Sequence, residues 1–346
     1  MRILLTKLKH IGDALLMTPT ICAIREHYPG AEIVVVVRKG TEEILAGCPA
    51  IDCVLTAAAP EHKRRSALNW IEDGQMIAEL RRKEFDYAFD LSDGDRGRWV
   101  CALARVKVRC TNDALIKMHR LWKLVFKSIS RLNWECLHRV EKDFLTVAHV
   151  LDLGEKPPGL SFAHERTEAS WASELAGVGA IVFHPATRLP EKQWPEERWI
   201  ELGCALKSPG GRIVVSVGPA EAEVALGERI AAGIGREAFS TKGNLNWAQL
   251  ARLLHAARLF VGVDTAAMHL AAACGCPVVA IFGMTSVAQW RPWSGPNRVL
   301  SSLPETLEIA AAEVRDNNPI ERIAVGAVLH AADELMRNSA ARAETR

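Results

Sequence analysis

Short apolar runs rich in β-branched residues alternate along the chain with longer stretches in which apolar residues recur at helical spacing. The first pattern is typical of buried strands and the second of helices that pack on a sheet. Because the alternation occurs in two series, it predicts an α/β protein with two parallel-sheet domains. The predicted strands are 2–5, 32–37, 85–92, 106–109, 179–185, 211–219, 258–264 and 277–283.

The helical stretches and the breaks between them predict the domain boundaries. In the first series, a helix follows the first strand, with Thr18 as its cap and Pro19 in its first turn. The segment 155–168 is rich in proline and charge, which favours an interdomain linker. Further helices are predicted near 195–207, 221–234, 246–257, 265–274 and 321–336. We therefore expect domains at 1–160 and 175–320, and a C-terminal helix within 321–346 that is a candidate to pack back toward the first domain.

Composition excludes several classes of protein. The chain has 346 residues, 49% of them hydrophobic, and a formal net charge of +2, so its bulk charge does not indicate a nucleic-acid-binding protein. Its nine cysteines are scattered without a Cys-x-x-Cys pair, which fits a reducing cytoplasm better than a disulfide framework or a zinc ribbon. No apolar run approaches the roughly 18 residues that cross a bilayer. Any membrane contact is expected to be peripheral.

The stretch VGVDTAAMHL, 261–270, joins a buried strand to an alanine-rich helix. Two parallel-sheet domains that face each other are expected to bind ligands in the cleft at the carboxyl ends of their strands. A helix beginning at Asp264 or Thr265 directs unpaired N–H groups and its positive dipole end toward that cleft, which suits a phosphate or diphosphate. Ala266 allows close approach, and His269 shares a helix face with Thr265.

Two further loops carry candidate chemistry. HPATRLPEKQWPEERW, 184–199, places Thr187, Arg188 and Lys192 after a strand, where a lysine can neutralise a diphosphate leaving group without a metal ion. TKLKHIGDALL, 6–16, places Asp13 after the first strand of the other domain. A carboxylate there is a candidate general base opposite a leaving-group site.

At these three motifs the chain resembles the ADP-heptose:lipopolysaccharide heptosyltransferases, glycosyltransferase family 9, and LKHIGD is most similar to the heptosyltransferase III type. The resemblance implies a GT-B fold, two Rossmann-like domains facing a central cleft. It also implies an inverting, metal-independent transfer of heptose from ADP-heptose to the lipopolysaccharide inner core, at the cytoplasmic face of the inner membrane. Segment 301–319 lacks the cysteine cluster that heptosyltransferase III-like members often carry, which leaves the acceptor position open.

The resemblance also assigns roles to residues. Asp13 matches the general base and Lys192 the phosphate-contacting lysine, so these two are the predicted catalytic residues. Glu221 falls where the family often carries an acidic residue for the ribose hydroxyls, with Glu223 as its competitor. Neither a cofactor nor a metal ion is expected. The predicted donor-binding residues are Thr187, Arg188, Lys192, Glu221, Asp264, Thr265, Ala266 and His269.

Each motif also has a purely structural interpretation. Asp264 and Asp13 are both candidates for simple helix caps, since aspartate is common there. His269 is alternatively a buried structural histidine, and Lys192 a solvated surface lysine. Asp93-Gly94-Asp95 imitates the Asp-x-Asp metal motif of other glycosyltransferases, but a lone carboxylate pair is weak support for a metal site.

The segment 106–142 interleaves basic and aromatic residues, among them Trp122, Phe126 and Trp134. This pattern is typical either of an ordinary solvated helix face or of a surface for an anionic acceptor lipid and the membrane. Nucleic acid is the weaker interpretation, because no recognition motif accompanies the charge. The predicted acceptor-binding residues are Lys63, Arg64, Arg65 and Arg120.

Two other functions are compatible with these motifs. A sugar-nucleotide epimerase or hydrolase on the same fold turns over its substrate without an acceptor. A non-catalytic protein of envelope assembly binds the nucleotide-sugar without turnover, although Asp13 argues for an enzyme.

Overall fold

The computed structural model describes residues 1–59, 66–113, 118–133, 135–163, 179–208, 211–303 and 319–344, with side chains as far as residue 339. The chain divides into two units, Met1–Leu160 and Ser161–Arg346. Each unit is built on one six-stranded sheet, and all paired strands in both sheets are parallel. The α/β class predicted from the apolar pattern is therefore confirmed.

In the first unit the strand order is β3-β2-β1-β4-β5-β6. Its strands are β1 Arg2–Lys7, β2 Glu32–Arg38, β3 Cys53–Ala57, β4 Glu84–Asp90, β5 Arg105–Asn112 and β6 Ser128–Ser130. Its helices are α1 Ile11–Leu16, α2 Thr18–His27, α3 Ala67–Arg82, α4 Asp95–Leu103, α5 Trp122–Val125 and α6 Arg139–Ala148. A short 3-10 helix spans Glu42–Leu45.

In the second unit the strand order is β12-β11-β10-β7-β8-β9, which repeats the order of the first. Its strands are β7 Ile181–His184, β8 Ile213–Val215, β9 Ala238–Ser240, β10 Leu259–Val263, β11 Val278–Phe282 and β12 Asn297–Ser301. Its helices are α7 Glu196–Leu206, α8 Glu221–Ile234, α9 Trp247–Ala256, α10 Ala266–Ala273, α11 Val287–Trp290 and α12 Val325–Glu344. Two 3-10 helices span Pro190–Lys192 and Pro319–Arg322.

Each unit has its own core. In the first, helices α3, α4 and α5 cover one face of the sheet, and their buried residues include Leu80, Val100 and Trp122. Gly97 lets α4 approach the end of β4, because a Cβ there would overlap the Asp90 carboxylate. In the second core the fully buried Trp199 contacts Phe183, with ring centroids 5.3 Å apart.

Every predicted strand is present, and each strand that the apolar pattern missed lies at the edge of a sheet. These are β3, β6, β9 and β12, the outermost strands in the two sheet orders. Their residues are mostly half-exposed, whereas β10 and β11 are buried throughout. A strand buried on both faces appears as one continuous apolar run, and an edge strand does not.

One local prediction is wrong. Thr18 does not cap α2: it is the first residue of that helix, and Met17 caps it because α1 runs almost directly into α2. The C-terminal helix packs its apolar face within its own unit. Val328, Ala332 and Leu335 are buried in the core of the second unit, and Glu334 pairs with Arg298 of β12.

Candidate functional site

The candidate residues follow the central strands of the two sheets. Strand order reverses between β1 and β4 in the first unit and between β7 and β10 in the second. Ligands of open α/β sheets bind outside the carboxyl ends of the strands at such a reversal. Asp13 follows β1, Lys192 follows β7, and Asp264 follows β10. The sequence motifs are thus placed at both reversal points.

Asp13 lies in the first turn of α1 and is only 8% exposed. One oxygen of its carboxylate, Oδ2, accepts a hydrogen bond from the backbone N–H of His10 at 3.2 Å. The cap of α1 is His10 rather than Asp13, and Asp13 is the capping-box residue whose carboxylate satisfies the N–H group of that cap. The same contact anchors the carboxylate at the carboxyl end of β1.

A cluster of buried charges surrounds this end of the first sheet, and sequence reasoning missed it. The Lys7 ammonium donates to Asp143 Oδ2 at 2.6 Å, and Lys142 pairs with Asp93. Burial raises the pKa of Asp93, but the ammonium groups of Lys142 and Lys7 outweigh it and hold that pKa below its ordinary value. The only signal in the sequence is a lysine at the end of an apolar strand.

The Asp-x-Asp segment is held by protein groups. Asp93 adopts a positive φ of 56° and pairs with Lys142. Asp95 Oδ1 accepts hydrogen bonds from the indole N–H of Trp122 at 2.8 Å and from Arg98 at 3.2 Å. In the described part of the chain, no group of three or more His, Cys, Asp or Glu side chains could hold a metal ion.

In the second unit the structure joins two of the sequence motifs. Lys192 ends the short 3-10 helix after β7, and its ammonium donates to Asp264 Oδ2 at 2.7 Å. Asp264 is thus the partner of Lys192 rather than the cap of α10, which is Thr265. The lysine side chain keeps 22% of its surface exposed, so it is neither an ordinary solvated lysine nor an inaccessible one.

The start of α10 offers hydrogen-bond donors to a ligand. The first-turn N–H groups of a helix have no acceptor within that helix, and α10 begins at Ala266, directly after its cap Thr265. The Oγ1 atom of Thr265 is buried and has no hydrogen-bond partner among the described residues. A buried hydroxyl without a partner costs about 1–3 kcal/mol, so a ligand that satisfies it gains affinity.

His269 is 2% exposed, and its ring centroid lies 6.4 Å from that of Trp290. His269 is therefore a buried residue of α10. The two acidic candidates after β8 differ: Glu223 accepts the Gly218 N–H at 2.9 Å, whereas Glu221 is exposed in the first turn of α8. Glu221 remains available to a ligand.

The loop after β7 carries the remaining donor candidates. The carbonyl of Thr187 accepts from the Gln193 amide at 3.1 Å, and Arg188 is exposed. His184, at the end of β7, was not predicted. Its Nδ1 lies 3.2 Å from Ser216 Oγ, and burial lowers its pKa to about 4, so the imidazole is neutral at physiological pH.

The acceptor candidates are only partly described. Lys63, Arg64 and Arg65 lie outside the described residues, as does Trp134, whereas Arg120 is exposed. The expectation that Trp122 and Phe126 form an aromatic surface is wrong, because both are buried against the first sheet, where they fill its core. Two neighbouring leucines are exposed instead, Leu121 by 64% and Leu124 by 76%.

Comparison with known proteins identifies the family. The sequence profile of glycosyltransferase family 9 (heptosyltransferase) matches residues 74–318, well over half of the chain. The chain belongs to glycosyltransferase family 9. The enzyme's Lys192 and Asp264 fall within the matched region, whereas Asp13 precedes it. The prediction of a glycosyltransferase of the heptosyl-transferring kind is confirmed.

Individual relatives agree with this assignment. Lipopolysaccharide heptosyltransferase 3 of Escherichia coli is 28% identical over 342 residues, which cover 95% of the enzyme and 97% of the relative. The family 9 glycosyltransferase of Veillonella parvula has a TM-score of 0.82 at 20% identity and 97% coverage of each chain. Heptosyltransferase WaaC of E. coli, solved with ADP, has a TM-score of 0.79 at 24% identity, covering 97% of the enzyme and 100% of that chain. The predicted GT-B fold is confirmed.

One further observation bears on membrane contact. Among the described residues of the enzyme, no helix combines the length and the apolar character needed to cross a membrane.

Proposed function

We propose that the enzyme transfers heptose from ADP-heptose to a lipopolysaccharide inner-core acceptor, with inversion at the anomeric carbon and without a metal ion. The relatives named above support the sugar and the acceptor, and the ADP in the WaaC structure supports the nucleotide. The observation that carries the proposal is the arrangement after β7 and β10. There the Lys192 ammonium, the Thr265 hydroxyl and the start of α10 provide donors suited to a diphosphate.

In the proposed reaction Asp13 accepts the proton of an acceptor hydroxyl. The acceptor oxygen forms a bond to the anomeric carbon of heptose while the bond from that carbon to the diphosphate oxygen breaks. ADP leaves with the bonding electron pair. Attack on the face opposite the leaving group inverts the anomeric centre, which distinguishes this reaction from a two-step transfer that retains the configuration.

Lys192 is proposed to stabilise the charge that develops on the departing diphosphate. Its pairing with Asp264 does not prevent this, because a lysine ammonium has three N–H donors and Asp264 Oδ2 takes one of them. Asp264 is repelled by a diphosphate, so we assign it to a sugar hydroxyl or to holding Lys192 in place. Glu221 is assigned to the ribose hydroxyls. Thr187, Arg188, Ala266 and His269 complete the proposed donor site.

The acceptor is proposed to meet basic side chains of the first unit. No acidic residue occurs from 114 to 134, and Arg120 and Lys127 in this stretch are exposed. We assign Lys63, Arg64, Arg65 and Arg120 to the anionic acceptor. The exposed leucines beside Arg120 support peripheral contact with an anionic membrane. The proposed location is the cytoplasmic face of the inner membrane.

The proposal is tested by offering ADP-heptose, other ADP-sugars and UDP-sugars, each with and without a core acceptor, and measuring nucleotide release. We expect release only from ADP-heptose with acceptor, undiminished by EDTA, and NMR of the product should show the inverted anomer. Turnover without acceptor would indicate an epimerase or hydrolase, and binding without turnover a non-catalytic protein. Loss of activity in EDTA that magnesium restores would contradict metal independence.

A further inference from the structure

His184 is the last residue of β7, at the point where the strand order of the second sheet reverses. Its register partner in the neighbouring strand β10 is Gly262, two residues before Asp264. Ligands of open α/β sheets bind outside the carboxyl ends of the strands at such a reversal. His184 therefore lies at the same end of the same two strands as the Lys192–Asp264 pair.

The imidazole projects from the face of the sheet that α10 covers. Side chains of a strand alternate between the two faces, and Phe183 and Val261 lie in the core formed with α7, α8 and α12. His184 and Gly262 therefore face the opposite side. Helix α10 contacts β10 but contributes none of the described residues of that core, so it packs on the side of His184.

Ser216 fixes the position of the imidazole proton. Only 2% of Ser216 is exposed, and its Oγ lies 3.2 Å from Nδ1 of His184, which is the only partner of that hydroxyl in the described part of the chain. Because a buried hydroxyl that does not donate costs free energy, Ser216 donates to Nδ1. The imidazole is neutral, since burial lowers the pKa of His184 to about 4. Its one proton is therefore on Nε2.

The Nε2–H group of His184 is an unused donor. It makes no hydrogen bond within the described residues, and Nε2 is not one of the buried atoms left without a partner, so it is accessible. The Phe260 ring lies nearly parallel to the imidazole, at 24° and with centroids 6.4 Å apart. That ring fills the space over Gly262, where an added Cβ would lie 2.6 Å from it. Ser216 and Phe260 thus orient the imidazole and leave one N–H group for a ligand.

We propose that His184 is a further donor-binding residue, whose Nε2–H group donates a hydrogen bond to an oxygen of the ADP diphosphate. The inference rests on the proposed function, which assigns the diphosphate to the start of α10 on the same face of the sheet. A phosphate oxygen only accepts hydrogen bonds, so it matches an N–H group whose proton is fixed. A neutral donor also adds this bond without adding a second positive charge beside Lys192.

Titration calorimetry with ADP at pH 7 tests this hydrogen bond. His184→Asn keeps an acceptor for Ser216, but its shorter side chain does not reach the position of Nε2. ADP should therefore bind about tenfold more weakly, the scale of a hydrogen bond to a charged group. His184→Gln places an N–H group near that position and should bind ADP more tightly than His184→Asn. His330→Gln, at an exposed histidine of α12, is the matched control and should keep the parent affinity.

Adenosine distinguishes a contact to the diphosphate from a general distortion of the site. It has no phosphate group, so His184→Asn should bind it as tightly as the parent does, measured by competition with ADP. An equal loss of affinity for adenosine and ADP would overturn the assignment, because the contact would not be to the diphosphate. Unchanged ADP affinity in His184→Asn would overturn it as well.

A measurement on the parent enzyme covers the case in which the His184 variants do not fold. NMR of ¹⁵N-labelled histidine distinguishes the two neutral tautomers, and the signals of His184 are those that change most in Ser216→Ala. We expect the Nε2–H tautomer, and a shift of its Nε2 signal on addition of ADP but not of adenosine. The Nδ1–H tautomer, or an Nε2 signal that does not respond to ADP, would contradict the inference. Failure of the parent to bind ADP would instead reject the proposed function itself.

Discussion

The two units share one strand order but hold their polar residues differently at the carboxyl ends of the central strands. In the first, Lys7, Asp93, Lys142 and Asp143 are buried and paired around Asp13. In the second, the Lys192–Asp264 pair stays partly exposed beside a helix start whose Thr265 hydroxyl is unsatisfied among the described residues. A shared fold therefore does not imply shared chemistry. The first arrangement suits a fixed base, and the second a charged ligand that enters and leaves.

The largest expected effect tests the first unit. Asp13→Asn should lower kcat by about 10²–10⁴-fold, the usual contribution of a general base, because the amide cannot accept the proton. ADP affinity should stay near that of the parent, since the proposed donor-binding residues lie in the second unit. Steady-state kinetics and calorimetry measure the two quantities.

Asp95→Asn is the matched control for this change, because Asp95 is also an aspartate in the first turn of a helix that follows a central strand of the same sheet. It should retain parental kcat. Turnover of Asp13→Asn within a factor of about three of the parent is too small a loss for a general base and would reject that role.

The second-largest expected effect is a loss of ADP affinity, which tests the proposed role of Lys192 in the second unit. Lys192→Ala should weaken ADP binding by about 1.5–3 kcal/mol, the scale of a charge-assisted hydrogen bond. Titration calorimetry measures this loss. Lys207→Ala, which removes an exposed lysine just after α7, should leave ADP affinity unchanged.

The ion pair complicates this measurement, because Lys192→Ala also leaves Asp264 without its partner at the proposed diphosphate site. The double variant Lys192→Ala/Asp264→Asn separates the two contributions. Recovery of full ADP affinity in the double variant would mean that Lys192 only neutralises Asp264 and does not bind the nucleotide.

The third expected effect is a pH dependence of folding stability, caused by the buried neutral histidine His184 of the second unit. The first unit has paired charges instead. The pKa of His184 is about 4 in the folded protein, whereas that of an unperturbed histidine in an unfolded chain is 6.5. Between these values the unfolded state binds more protons, so stability is fully present above about pH 6.5 and is lost as pH falls toward 4. The loss approaches about 3 kcal/mol.

Urea unfolding at pH 7 and pH 4.5 measures this loss. His184→Asn, which does not titrate and can still bond to Ser216, should lose less stability than the parent between the two values. His27→Asn, at an exposed histidine of the first unit, should lose as much as the parent. Equal losses in all three proteins would show that His184 does not carry the effect.

The smallest effect concerns the acceptor. Arg120→Ser should raise the acceptor KM by a few-fold and leave the donor KM alone, because an exposed charge contributes on the order of 1 kcal/mol to an anionic contact. Added salt should have the same effect, since the Debye length is already about 8 Å at physiological ionic strength. Arg236→Ser, at an exposed arginine of the second unit, is the control. An acceptor KM that responds to neither Arg120→Ser nor salt would mean that this face is merely solvated.

Much of the fold could be predicted from the sequence alone. The helix predicted at 221–234 is Glu221–Ile234 in the structure, and the strands buried on both faces all appear where continuous apolar runs occur. The edge strands were missed because partial exposure removes that signal. Similarly, Trp122 and Phe126 resemble surface aromatics because their neighbours are basic, and only the packing of α5 on the sheet buries them.

The sequence by itself determined the order of elements and the positions of Asp13, Lys192 and Asp264 after strands, because both depend on patterns within a few residues. Tertiary structure alone decided which side chains meet. Lys192 and Asp264 are 72 residues apart in the chain, and Lys7 and Asp143 are 136 apart. Such partners are brought together by the strand order of each sheet. Local hydrophobic periodicity carries no information about that order. For this reason, neither the Lys192–Asp264 pair nor the buried charge cluster of the first unit could be predicted from the sequence.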